Sequence, residues 1–105
     1  RMTLRDTLDN LRPKPKVKAV EMPDWGTTVY VRKLSWAQLD AIKSADDPVL
    51  SQVQMCLCDE QGNLLYQEHE RHLLGKFHLD ELEKIIDEAS RFNSLAARVE
   101  QAKNV

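Results

Sequence analysis

The chain has 105 residues, of which 42% are hydrophobic and 30% charged, and its net charge is −2. This composition predicts one folded domain and excludes a disordered or fibrous chain. No apolar run approaches the roughly 20 residues that cross a bilayer, and no secretion signal is present, so we expect a cytosolic protein with no membrane partner.

Charge is unevenly distributed along the chain. Residues 1–20 contain six Lys or Arg and two Asp, so this leader carries +4 and the remainder carries −6. A nucleic-acid binder is usually basic overall, with aromatic residues among its cations. That pattern is missing, so we expect no nucleic-acid partner. A regulatory nucleic-acid binder that uses the basic leader is a further alternative.

The first predicted element is a short helix, for which Thr3 and Asp6 have the spacing of a capping box. Its apolar side is a leucine stripe at helical spacing, made of Leu4, Leu8 and Leu11. Prolines then break the helix and give a stiff, basic Lys-Pro linker. We therefore divide the chain into an N-terminal helix and linker, residues 2–16, and a single α+β domain, residues 17–105.

Two interpretations of the leucine stripe remain open. Isolated helices this short are marginal in water, which favours packing of the stripe on the domain. The alternative is that the stripe inserts into the groove of a partner.

Two antiparallel strands are predicted next, Val17–Met22 and Thr27–Arg32, joined by a turn that contains Trp25. We expect the Trp25 indole to close one end of a small core. The alternative is a partly exposed anchor for a partner. Ser35 begins a capped helix of about nine residues, and we expect Trp36, just inside it, to lie in the core.

The segment 49–59 fits a buried strand and a helix about equally well. We interpret it as a strand, because the loop 59–63 resembles a hairpin loop with Gly62 placed for positive φ. Residues 64–66 would then return as its partner strand.

Helices dominate the rest of the chain. Residues 67–74 predict a short helix closed by Gly75, and Leu79–Phe92 predicts an amphipathic helix with Asn93 beyond its end. The apolar face of that helix consists of Leu79, Leu82, Ile85, Ile86, Ala89 and Phe92. Ser94 can cap a last helix. The predicted class is α+β, a small antiparallel sheet packed against several α-helices.

Residues of the types that bind zinc are present, namely Cys56, Cys58, His69, His72 and His78. Structural zinc sites use cysteine pairs two to four residues apart at a turn, whereas Cys-x-Cys in a strand points both thiols into one packed face. We therefore expect no metal, buried cysteines, and His69 and His72 facing solvent. Nucleophile elbows and phosphate-binding glycine loops are also missing. We expect no catalytic residue, no cofactor and no enzymatic activity.

The order of these features resembles the tail assembly chaperones of long-tailed bacteriophages, over residues 2–105. The likeness rests on the Thr3-Leu4-Arg5 helix, the Lys-Pro linker, Pro23-Asp24-Trp25-Gly26, Val29-Tyr30-Val31-Arg32 with Leu34, the Asp59-Glu60-x-Gly62 hairpin, Phe92-Asn93 and Ala102-Lys103-Asn104.

This resemblance implies a non-catalytic protein that binds the tape measure protein, keeps it soluble and promotes tail tube assembly around it. It also implies a host-cytoplasmic protein that is absent from the mature virion. In such relatives a frameshifted longer form contacts the tail tube protein. We expect partner contacts at Leu4, Leu8, Leu11 and Trp25. The alternative is a small structural tail completion or connector protein that is retained in the virion.

Overall fold

The computed structural model describes residues 2–11 and 14–93. The elements are α1 (Leu4–Asp9), β1 (Val17–Met22), a 3₁₀ turn (Pro23–Trp25), β2 (Thr27–Arg32), α2 (Trp36–Lys43), α3 (Pro48–Cys56), β3 (Leu57–Cys58), a 3₁₀ segment (Glu68–Lys76) and α4 (Leu79–Phe92). The helix predicted from Ser94 lies outside the described residues.

The three strands form one antiparallel sheet in the order β1-β2-β3. β1 pairs with β2 over its whole length, from Val17 opposite Arg32 to Met22 opposite Thr27. Gly26 closes the intervening 3₁₀ turn with φ +68°, a left-handed conformation that favours glycine. β3 is short and pairs only with the second half of β2, through Tyr30 and Val31.

Capping boxes set where two of the helices begin, as the sequence predicts. In α1 the Thr3 hydroxyl accepts from the Asp6 amide, and in α2 the Ser35 hydroxyl accepts from the Gln38 amide. In return, the side chains of Asp6 and Gln38 accept hydrogen bonds from the amides of the two capping residues. These bonds satisfy backbone amides that lack intrahelical partners.

The prediction of a strand over residues 49–59 is wrong for most of that segment, which is α3. The Asp47 carboxylate accepts from the Leu50 amide at 3.1 Å, and Pro48 occupies the first turn, where it needs no donor. Only Leu57 and Cys58 are extended, and the return strand reduces to one bridge between Cys58 and Leu64. The hairpin loop itself is confirmed, because Gly62 has φ +85°.

The core lies between one face of the sheet and the helices α3 and α4. Its buried side chains are Val20, Met22, Val29, Val31, Val53, Cys56, Leu57, Leu74, Leu82, Ile85 and Ala89. The predicted amphipathic helix is therefore confirmed, with the same bounds. The α+β class is confirmed as well.

Three predictions about burial are wrong. Trp36 is 70% exposed, because it lies about 120° around α2 from Ile42, the residue that this helix buries. Leu79, at the first turn of α4, is also exposed. The leucine stripe is not buried on the domain, since each of its three side chains is more than half exposed.

The remaining helical segment differs from its prediction in type. Residues 68–76 form a 3₁₀ segment that continues through Gly75 instead of ending there. Within the described ranges, no helix is long and apolar enough to span a membrane.

Candidate partner-binding surface

The leucine stripe presents its apolar side chains to solvent. Leu4 is 75% exposed, Leu8 57% and Leu11 56%. The capping box holds the helix in place at its start, and Arg5 and Asp9 approach each other within 3.7 Å, one helical turn apart. The structure thus places Leu4 and Leu8 on one exposed, capped helix, whereas Leu11 lies beyond the end of that helix at Asp9.

Pro15, in the linker, rests against the hairpin loop. A Cβ placed on Gly62 would lie 2.3 Å from the Cβ of Pro15 and 3.6 Å from the side chain of Val17. This close approach fixes the point at which the linker meets the sheet. Because only glycine fits there, the loop conformation and the linker position depend on each other.

Trp25 lies apart from the leucines along the chain path. The linker enters the sheet at Val17, whereas Trp25 follows Met22 at the other end of β1, about 17 Å away for a six-residue strand. Trp25 and the point where the linker meets the sheet therefore lie at opposite ends of β1.

The contacts of Trp25 are those of a half-buried structural residue. Its ring centroid lies 4.6 Å from that of Phe77, and its indole nitrogen donates to the carboxylate of Glu81. The ring packs against the core of the domain. These contacts favour the interpretation in which the indole closes the core, and a partner-binding role for Trp25 stays a prediction.

Sequence reasoning missed one exposed aromatic side chain, Trp36. The Lys43 ammonium lies 5.4 Å from its ring centroid, and no described residue buries it. The signal that was available is the helical angle between Trp36 and Ile42, since only one side of a short helix can face the core. Large exposed aromatic residues are common anchors at interfaces.

Of the residues considered as zinc ligands, the cysteines are buried and the histidines are exposed. Burial raises the pKa of Cys56 to about 12 and that of Cys58 to about 11, so both thiols stay protonated at neutral pH. His69 and His72 are exposed. Among residues 2–11 and 14–93, no three His, Cys, Asp or Glu side chains are grouped to hold a metal ion.

Two acidic residues of the loops accept hydrogen bonds from backbone amides. The Asp47 carboxylate caps α3, and the Asp59 carboxylate accepts from the amides of Gln61 and Asn63 at 2.9 Å each. The hydrogen bond from the Asn63 backbone is the main reason that the pKa of Asp59 is lowered. These carboxylates are therefore engaged in holding turns.

Comparison of the chain with protein-family models, curated proteins and solved structures finds no match.

Proposed function

We propose that this protein is a tail assembly chaperone of long-tailed bacteriophages. It binds the tape measure protein, keeps it soluble and promotes tail tube assembly around it. The order of sequence features supports this proposal. The observation that carries it is the exposure of the leucine stripe, of which Leu4 and Leu8 lie on a capped helix.

The proposed activity depends on exposed apolar surface. A tape measure protein is a long helical and hydrophobic chain, and a protein that shields it must offer apolar side chains of its own. Leu4 and Leu8 supply such side chains at helical spacing, the pattern that docks into a groove on another helix or pair of helices. A helix as short as α1 is marginal alone, so we expect it to become more stable against a client.

The remaining parts of the proposal follow from the same resemblance. The protein acts in the host cytoplasm, performs no covalent chemistry and is left out of the mature virion. Contact with the tail tube protein is assigned to a frameshifted longer form.

The test is co-expression of the chain with the tape measure protein encoded beside it, with the soluble fraction of the client as the readout. We expect the intact chain to keep the client soluble and to co-purify with it. Leu4→Ala/Leu8→Ala removes apolar surface worth roughly 1.5–3 kcal/mol per leucine when fully buried, so we expect co-purification to fall at least about tenfold.

The matched control is Arg5→Ala/Asp9→Ala, which removes the exposed ion pair of the same helix and leaves net charge unchanged. This variant should retain the client. The proposal is wrong if the client stays insoluble beside the folded chain and beside a frameshifted longer form. Mass spectrometry of purified particles addresses the alternative, since a tail completion or connector protein would be present in them.

A further inference from the structure

A basic groove lies where the linker enters the sheet and β2 leaves for α2. Its volume is about 390 Å³. Lys14 and Lys16 line it from the linker, and Arg32 and Lys33 line it from the end of β2. None of the described residues that line this groove is acidic. The groove is thus a concentration of positive charge on a chain whose net charge is −2.

Two of these cations are held directly opposite each other. The Lys33 amide donates to the Lys16 carbonyl at 2.9 Å, which extends the β1–β2 pairing by one residue beyond Val17 and Arg32. Side chains that are directly opposite in an antiparallel pair share one face of the sheet, and like charges in that position are destabilising. The fold therefore places two lysines at directly opposed positions here.

The neighbouring lysine on the same face shows that the fold can provide a partner. Lys18 lies 2.9 Å from the carboxylate of Glu88 on α4. Among the described residues, none of the four groove cations has such an ion pair. Lys33 lies 4.7 Å from the Phe92 ring centroid, which holds its ammonium at the groove. Alternation along the chain places the Arg32 side chain on the other face of the sheet, where its Nε donates to the Met55 carbonyl.

The chemistry of the groove distinguishes between anionic ligands. Phosphate sites at helix starts use free backbone amides, but the amides of Ser35 and Gln38 are already occupied by the capping box of α2. Single-stranded nucleic acid is bound by stacking on aromatic rings, and no described residue lining the groove is aromatic. The groove instead offers separate lysine ammonium groups beside the apolar residues Pro15 and Leu34. Such an arrangement can pair with carboxylates that are spaced along a peptide chain.

We propose that this groove binds an acidic, extended peptide segment of a partner protein, with its carboxylates at Lys16 and Lys33 and at the flanking cation Lys14. Charge complementarity and the unpaired, opposed lysines carry the assignment. The groove would bind such a segment whether or not the protein is a tail assembly chaperone, because it does not involve the leucine stripe.

The experiment is fluorescence anisotropy of labelled hexaglutamate with the full chain, at about 20 mM and about 200 mM salt, since screening separates charge-driven binding from other binding. Hexaglutamine is the neutral control peptide. We expect hexaglutamate to bind at low salt and hexaglutamine not to bind.

The groove variant is Lys16→Gln/Lys33→Gln, and the matched control is Lys43→Gln/Lys76→Gln. Both pairs are exposed, and Lys43 and Lys76, like Lys33, each lie over an aromatic ring. Thermal unfolding followed by circular dichroism verifies that each variant is folded. We expect the groove variant to weaken hexaglutamate binding by about tenfold, the effect of losing two charge contacts, and the control by less than about threefold.

Equal weakening by the two variants would overturn the proposal, because binding would then follow net charge and not the groove. Absence of hexaglutamate binding at low salt would overturn it as well. A thymidine dodecanucleotide is the third probe. If it binds more tightly than hexaglutamate and loses that binding in the groove variant, the groove is a nucleic-acid site and the peptide assignment is wrong.

Discussion

The indole nitrogen of Trp25 donates a hydrogen bond to the Glu81 carboxylate, across 56 positions of the chain. The other oxygen of the same carboxylate accepts from the His78 amide at 2.9 Å and so caps α4. The Glu81 side chain therefore joins the turn between β1 and β2 to the first turn of α4. This double use explains how the 3₁₀ turn is held against the core.

Trp25→Ala is expected to destabilise the protein by about 3 kcal/mol, because it removes a large packed ring and the indole hydrogen bond together. Trp25→Phe keeps a ring near Phe77 and is expected to cost roughly 1 kcal/mol less. Urea unfolding followed by circular dichroism measures both differences.

Trp36→Ala is the matched control for this prediction. Because Trp36 is exposed, its replacement should change the free energy of unfolding by no more than about 0.5 kcal/mol. If Trp25→Ala proves as mild as Trp36→Ala, the indole does not close the core. A folded Trp25→Ala protein that has lost its client would then identify Trp25 as a partner anchor.

Local signals in the sequence were sufficient for about half of the fold. Capping boxes located the starts of α1 and α2, and alternation and apolar spacing located β1, β2 and α4. In the segment that contains α3, two local signals competed. Asp47 and Pro48 mark a helix start, whereas the hairpin loop that follows favoured a strand. Local sequence patterns do not show which of two such signals is the stronger.

The candidate sites depended on tertiary packing, which local sequence patterns do not show. The leucines were identifiable as a stripe, but their exposure depends on whether the domain offers a surface to cover them. The bonds from Trp25 to Glu81 and from Leu34 to Asn93 span 56 and 59 positions, so they follow only from tertiary packing. The opposed lysines of the groove were within reach, since the register of the predicted hairpin already places residue 16 opposite residue 33.

Asn93 joins the end of α4 to the connection between β2 and α2. Its side-chain oxygen accepts from the Leu34 amide at 2.7 Å, and its amide group donates to the carbonyls of Arg32 and Ala89 at 3.2 and 2.9 Å. The side chain is only 6% exposed. Asn93→Ala leaves three backbone groups without these partners, so we expect a loss of about 2–3 kcal/mol in urea unfolding.

Two comparisons make the Asn93 prediction specific. Asn93→Asp keeps the acceptor for Leu34 but places a carboxylate against two carbonyl oxygens. At neutral pH, Asn93→Asp should therefore lower the free energy of unfolding more than Asn93→Ala does. In acid this loss should become smaller, because the protonated carboxyl group can donate a hydrogen bond. Gln61→Ala, in the exposed hairpin loop, should have almost no effect. Equal stability of Asn93→Ala and Gln61→Ala would contradict the assigned role.

Gly62 and Gly26 form a natural pair for testing the contact between linker and hairpin. Both have positive φ, +85° and +68°, but an added Cβ meets Pro15 at Gly62 and no atom within 4 Å at Gly26. Gly26→Ala should cost about 1 kcal/mol through backbone strain alone. Gly62→Ala should cost clearly more, about 2–3 kcal/mol, because the linker must also move.

Urea unfolding of the two glycine variants gives the comparison directly. Equal losses would show that Pro15 moves away at no cost, and the linker would then not be fixed at the hairpin. Limited proteolysis provides a second measurement, since a displaced linker in Gly62→Ala should be cleaved faster within residues 12–16 than in Gly26→Ala.

The two buried thiols predict a loss of stability in alkali. Desolvation raises the pKa of Cys56 to about 12 and that of Cys58 to about 11, from an ordinary value of 9.0, while nearby Arg32 acts in the opposite direction. The folded state therefore binds these protons more tightly than the unfolded state. The stabilisation is complete below about pH 9 and is lost as the pH rises through about 11 to 12.

We expect the free energy of unfolding, measured in urea with a reducing agent, to fall above about pH 9 by up to about 1 kcal/mol per pH unit for each thiol. Cys56→Ala/Cys58→Ala should be less stable at neutral pH, since both side chains are buried, but its stability should depend less steeply on pH. All other titratable groups are common to the two proteins, so the difference between the two slopes isolates the thiols. Parallel slopes would mean that the thiols ionise as readily in the folded protein as in the unfolded chain, and the burial assigned to Cys56 and Cys58 would be wrong.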